Sequence, residues 1–92
     1  MNDAVRDNTE QHRFELDVEG HMAVSYYELA DGVITFRHTE VPKELEGHGI
    51  GSRLVRAELE VARSRGLKVV AKCPFVAAYI AKHPEFADLL KN

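Results

Sequence analysis

Cys73, Tyr79, His38 and Glu40 are the side chains whose chemistry and surroundings suggest reactivity, and Gly47, Gly49 and Gly51 form a backbone that a ligand can approach closely. Cys73 ends the apolar run LKVVAKC and directly precedes Pro74, a residue suited to the first position of a helix. A thiol at a helix start is stabilised as thiolate, the reactive form. The rival reading is a buried cysteine acting as a small apolar group. Tyr79 shares a helix face with Phe75 and Lys82, either as a proton donor or as core packing. His38 and Glu40 alternate with Ile34 and Phe36, which predicts one face of a strand and a general base there; a structural histidine is the alternative. The five histidines, His12, His21, His38, His48 and His83, show no ligand spacing, so no metal is expected.

These groups must be held by elements legible in the hydropathy pattern. Residues 1–11 are polar and expected to be a flexible tail, with a single domain over residues 12–92. HRFELDV alternates Phe14, Leu16 and Val18 with Arg13, Glu15 and Asp17, the period of a half-buried strand. Two further β-branched and aromatic runs, HMAVSYYELA and GVITFRHTEV, are joined by Asp31-Gly32, a hairpin signal, and Glu19-Gly20 turns the first pair. From Ile50 the period changes. Ile50, Leu54, Ala57 and Val61 form one helical stripe, with Val55, Leu59 and Ala62 beside it. Glu58 stands between the stripes, where a paired or rim-exposed carboxylate is expected.

Gly66 is the expected helix terminator, and the apolar run after it suits a buried strand. Strand, helix, strand is a βαβ unit with parallel strands and a right-handed crossover. PFVAAYIAKH and PEFADLLK then read as short helices, the second opened by Pro84. The expected class is mixed α/β: a three-stranded antiparallel meander, a βαβ crossover and C-terminal short helices. Open sheets gather ligands at the carboxyl ends of parallel strands, so the loop from Glu40 to Gly51 should converge with Cys73.

The glycine loop opens that main helix. A helix N-terminus carries unpaired amides and partial positive charge, which suits phosphate oxygens; a plain flexible turn is the alternative. The spacing is neither of the familiar phosphate loops. G-x-x-x-x-G-K-[ST] lacks its lysine, because Arg53 follows Ser52, and G-x-G-x-x-G is replaced here by G-x-G-x-G with no acid about 20 positions on.

With these elements in order, LEGHGIGSRLVRAELEVAR resembles the acyl-CoA loop and helix of the GNAT superfamily of acyl-CoA-dependent N-acetyltransferases, signature [QR]-x-x-G-x-[GA]. The tail, GLKVVAKCPFVAAYIAKHPEFADLL, is similar to very small single-domain members with a C-P-F/Y-x-x-x-Y-I-x-x-H-P run. The resemblance implies acetyl-CoA as acyl donor and an amine-bearing small molecule, protein or peptide as acceptor. It places the CoA diphosphate on the amides around Gly47, His48, Gly49, Ile50, Gly51 and Ser52, and the pantetheine beside Thr39, Glu40 and Val41. It makes Cys73 an acyl acceptor or an acid toward the departing thiolate, Tyr79 a general acid, and His38 or Glu40 the base for the amine. Lys82 and His83 would meet phosphate or adenine, with helix-dipole complementarity as the alternative. Glu46 stands where the signature has Gln or Arg, and the long N-terminal helices and later strands of larger members are missing. A CoA-binding module without turnover is the competing expectation.

Composition narrows the partners. Residues 1–31 carry eight acids against two bases, whereas residues 53–82 carry seven bases against two acids. The basic half can attract an anion, but no aromatic interleaving suggests nucleic acid. No apolar run approaches the roughly 20 residues of a membrane span, and a single cysteine favours a reducing compartment. A cytoplasmic monomer or small homo-oligomer is expected.

Overall fold

The computed structural model describes residues 4–91. Its strands are β1 (Arg6–Asn8), β2 (Arg13–Val18), β3 (His21–Ala30), β4 (Val33–Glu40) and β5 (Lys68–Ala71), in one sheet of order β1-β2-β3-β4-β5. The first four are antiparallel neighbours and β5 is parallel to β4. Helix α1 (Ile50–Ser64) makes the crossover, and α2 (Pro74–Lys82) is followed by a 3-10 segment, Pro84–Leu89. The meander and crossover are thus as the hydropathy pattern predicts. Both hairpins turn on residues with positive φ, Glu19-Gly20 and Asp31-Gly32, the geometry that matches strand twist.

Residues 6–8 differ from expectation: they pair with β2 instead of remaining loose. The polar side chains that suggested a tail are its attachments. Asp7 accepts a hydrogen bond from the Tyr27 hydroxyl at 2.6 Å and pairs with Arg65 at 2.9 Å, while Arg6 meets Glu15 at 2.8 Å. Burial and the Asp7 carboxylate together push the Tyr27 phenol up to about 12.

Helix α1 lies on one face of the sheet. Phe14 and Leu16 of β2, Ala23 and Tyr27 of β3, Ile34 and Phe36 of β4 and Val69 of β5 meet Leu54, Val55, Leu59 and Ala62 of α1 in the core. The helix ends as the sequence predicts: Gly66 N–H donates to Arg63 and Leu67 N–H to Ala62, the paired bonds of a Schellman motif.

Among the described residues no helix covers the other sheet face, yet Glu15 there is only 2% exposed. Arg13 reaches its carboxylate at 2.6 Å, Asn8 at 2.9 Å and Arg6 at 2.8 Å. The Arg13 hydrogen bond, then that of Asn8, holds the carboxyl below its usual range despite the opposing cost of burial. A depressed folded value stabilises the protein above the unfolded pKa, and that contribution fades as pH falls through the folded value. Glu15→Gln should cost about 1 kcal/mol at neutral pH, a modest figure because the arginines are solvated, and the loss should shrink on acidification. Urea melts from about pH 7 to about pH 3 would measure it.

Candidate functional site

The site begins where β4 and β5 part. Their pairing runs from Val33 and Lys68 to Phe36 and Ala71. Then the amides of Lys72 and Cys73 both donate to the Phe36 carbonyl at 3.0 Å, and the chain turns into α2 while β4 continues to Glu40. A bulge in β4 accompanies the parting: Tyr27 faces Phe36 but Tyr26 faces His38, leaving Arg37 outside the backbone register, its side chain ion-paired with Glu28 of β3 at 3.1 Å.

That extra residue inverts the alternation and corrects the expected placement of His38 and Glu40. They do not share the face of Ile34 and Phe36; beyond the bulge Thr39 and Val41 take the helix side. Both His38 and Glu40 are exposed on the uncovered face, joined to each other at 3.1 Å, with His38 stacked on Tyr26. Thr39 instead comes within 3.4 Å of the Cys73 sulfur.

Beyond β4 a 3-10 turn, Lys43–Leu45, buries Leu45, and the glycine loop leads into α1. Gly49 caps the helix with φ 70° and ψ 18°, a left-handed conformation that costs a side chain about 1–2 kcal/mol. The first helical amide to bond back is that of Arg53, to the Gly49 carbonyl at 3.1 Å. The amides of Ile50, Gly51 and Ser52 precede it and have no intrahelical acceptor. These three residues line a cleft of about 260 Å³ whose walls also include Val41, Glu46, Gly47, Gly49 and Phe75. His48 is exposed and is not part of that wall.

Phe75 is the contributor that sequence reading underrated. Its ring lies so close to Gly51 that a β-carbon there would sit 2.8 Å from it. With Ser52, it separates the cleft from a second hollow of about 120 Å³ formed with Ala78, Tyr79, Lys82 and His83. At 44% exposure it is one of few large apolar side chains in solvent. An aromatic directly after the N1 proline of α2, on the same face as Tyr79, is the signal that could have drawn attention to it.

Cys73 occupies the N-cap of α2 with Pro74 at N1, as expected, but is only 4% exposed. The Tyr79 hydroxyl accepts a long bond from Arg56 of α1 at 3.4 Å, and its ring stacks on His83 with centroids 3.9 Å apart. Lys82 and His83 close α2 beside the second hollow.

Glu58 departs most from expectation. It is neither paired nor at the rim: its exposure is 0%, and neither carboxyl oxygen completes a hydrogen bond among the described residues. Desolvation pushes its carboxyl well above the usual range, and the nearby Cys73 acts in the same direction; Ser25 is the group that opposes the rise. The Ser25 hydroxyl is likewise buried without a completed hydrogen bond. The helix stripe places Glu58 inward because its apolar flanks must be buried, and the carboxyl goes with them.

A parallel pair that splays at its carboxyl end, beside free helix amides, defines the GCN5-related class of fold. The chain belongs to the GCN5-related N-acetyl-transferase family, whose profile matches residues 13–89. Among solved structures it is similar to a GCN5-like protein from Staphylococcus aureus, described as a candidate N-acetyltransferase and determined by NMR in solution. The identity is 28% and the TM-score 0.74, covering 99% of this chain and 90% of that one. A search of curated proteins gives no match. Among the described residues no helix is long and apolar enough to cross a membrane.

Proposed function

We propose that the protein transfers an acetyl group from acetyl-CoA to a primary amine carried by a small molecule, protein or peptide. The observation that carries this reading is the set of free amides at Ile50, Gly51 and Ser52, whose residues line a cleft between Val41, just past the end of β4, and Phe75 of α2. A diphosphate suits those amides, and Lys82 offers positive charge for a further phosphate across Phe75, with the His83 ring beside it. Glu46 is the one group on the cleft wall that opposes an anion.

The donor supplies a thioester carbonyl; the chain's own residues bind, orient and move protons. Thr39 of β4 and Val41 just beyond it offer extended backbone to an arm on the helix side. His38 and Glu40, on the opposite face, take the proton of an arriving ammonium, which separates acceptor from donor across the splayed strands. Cys73, held by Thr39, returns a proton to the leaving sulfur, and Tyr79 is the other acid in reach of α2 chemistry. In the alternative route the Cys73 sulfur itself carries the acyl group before the amine takes it. The near-complete burial of Cys73 favours a second reading, a CoA-binding module without turnover. The protein works as a cytoplasmic monomer or small homo-oligomer.

Calorimetric titration with CoA is the primary test, and absence of binding would end both readings. Turnover with a panel of amines then separates enzyme from module. Mass spectrometry after acetyl-CoA without acceptor detects an acylated Cys73. Glu46→Gln should tighten CoA binding about fivefold at low salt, as expected for removing one solvated like charge. The gain should diminish as salt rises.

A further inference from the structure

Polar groups gather beneath the parting of β4 and β5, and one contact among them is closed, that of Thr39 with Cys73. Ser25 and Thr39 are register partners on the helix side of the sheet. Thr39 Oγ1 is 3.4 Å from Cys73 Sγ. On the other side, Glu58 presents a fully buried carboxyl to the same compartment, with both oxygens and the Ser25 hydroxyl lacking completed hydrogen bonds among the described residues. An ordinary core position would be apolar, because an unsatisfied carboxyl costs stability.

We propose that Glu58 is a positioning residue for Cys73: a protonated carboxylic acid that orients the Ser25 and Thr39 hydroxyls toward the sulfur, in a dry compartment that admits one negative charge and leaves it to the thiolate. The donor order is Glu58 O–H to Ser25, Ser25 O–H to Thr39, and Thr39 O–H to the sulfur anion; the last contact is closed in the structure, and the first two form when the Glu58 and Ser25 side chains rotate toward their acceptors. No proton leaves the series, and each hydroxyl is polarised by the one behind it. This rests on the proposed role of Cys73.

Surroundings support a neutral carboxyl. α1 packs on β2, β3, β4, β5, α2 and the closing 3-10 segment. The ionisable side chains buried in those elements on the helix side are Tyr27, Cys73 and Tyr79. Tyr27 is bound to Asp7 with Arg65 beyond, and Tyr79 to Arg56, so these cations already have partners. None of them is hydrogen-bonded to Glu58.

Selective carbon-13 labelling of the single cysteine allows its ionisation to be followed by NMR without substrate or turnover. Compared with wild type, Glu58→Gln keeps a donor at the same place and should leave the Cys73 midpoint unchanged. Glu58→Met removes the donor and should raise that midpoint by at least about half a pH unit, a roughly threefold fall in thiolate at a given pH. Infrared spectra at neutral pH should show a carboxylic-acid carbonyl band in wild type that Glu58→Gln lacks. A Met variant with the wild-type midpoint would reduce Glu58 to packing, and a lower midpoint in the Gln variant would mean an ionised Glu58; either overturns the proposal. Should the Met variant not fold, absence of the infrared band in wild type overturns it and presence together with the Gln result sustains it. A protein that fails to turn over acetyl-CoA still gives these titrations, so failure of the enzymatic reading is recognised separately.

Discussion

Glu58→Met is expected to raise the melting temperature by roughly 10 °C at neutral pH, an unusual direction for a core substitution. Methionine is unbranched, of similar length and a good helix former, so it can occupy the same space without a strained rotamer. Burying a carboxyl whose oxygens complete no hydrogen bond in this arrangement costs about 1–3 kcal/mol, more than a single Glu58–Ser25 contact returns, and the Met variant is free of that cost. Linkage adds to this. The folded pKa of Glu58 is raised, so the wild-type stability is fullest at low pH and falls as pH climbs above the unfolded value, by up to about 1.4 kcal/mol per unit. The advantage of the Met variant should therefore be larger at about pH 8 than at about pH 5. Thermal melts at both values test this, and a variant less stable than wild type would mean that the carboxyl is well satisfied. A more stable protein with a less ionised thiol is the expected trade between stability and activity.

Gly51→Val is expected to abolish measurable CoA binding, a loss of at least about tenfold, with little change in stability. Its β-carbon would fall 2.8 Å from the Phe75 ring and 3.4 Å from Val41, so the added branches must fill the cleft or drive Phe75 across it. Overpacking usually costs about 1–3 kcal/mol, but the obstructing atom is the tip of a half-exposed ring that can rotate into solvent. Valine is also slightly better than glycine inside a helix, which offsets part of the strain. Calorimetry for CoA and a parallel thermal melt separate the two effects. Undiminished affinity would place the diphosphate elsewhere.

The order of elements was legible because it rests on periodicity: alternation in β2 to β4, the change of period at Ile50, and turn dipeptides whose φ angles came out positive as required. The glycine loop and the Cys73-Pro74 helix start were legible for the same reason, being local backbone chemistry. What failed was tertiary. One residue outside the register, Arg37, reversed the faces of His38 and Glu40, and nothing in GVITFRHTEV marks a bulge. The burial of Glu58 follows from the width of the apolar stripe, but its lack of a partner depends on what β3 happens to present opposite it. The attachment of Asp7 to Arg65 spans 58 positions, beyond any local pattern.

That same attachment governs how the sheet meets its neighbours. Strand β1 is three residues long, carries the charged Arg6 and Asp7, and lies against Arg13, Phe14 and Glu15, the first half of the outer margin of β2. A short charged ribbon is a poor template for another chain, whereas β2 laid bare would offer six residues of open ladder. Because Arg65, at the far end of α1, completes the hold on Asp7, this guard gains its last contact only once the crossover helix has docked. A newly made chain is thus most prone to self-association in the interval before residues 6–8 are captured.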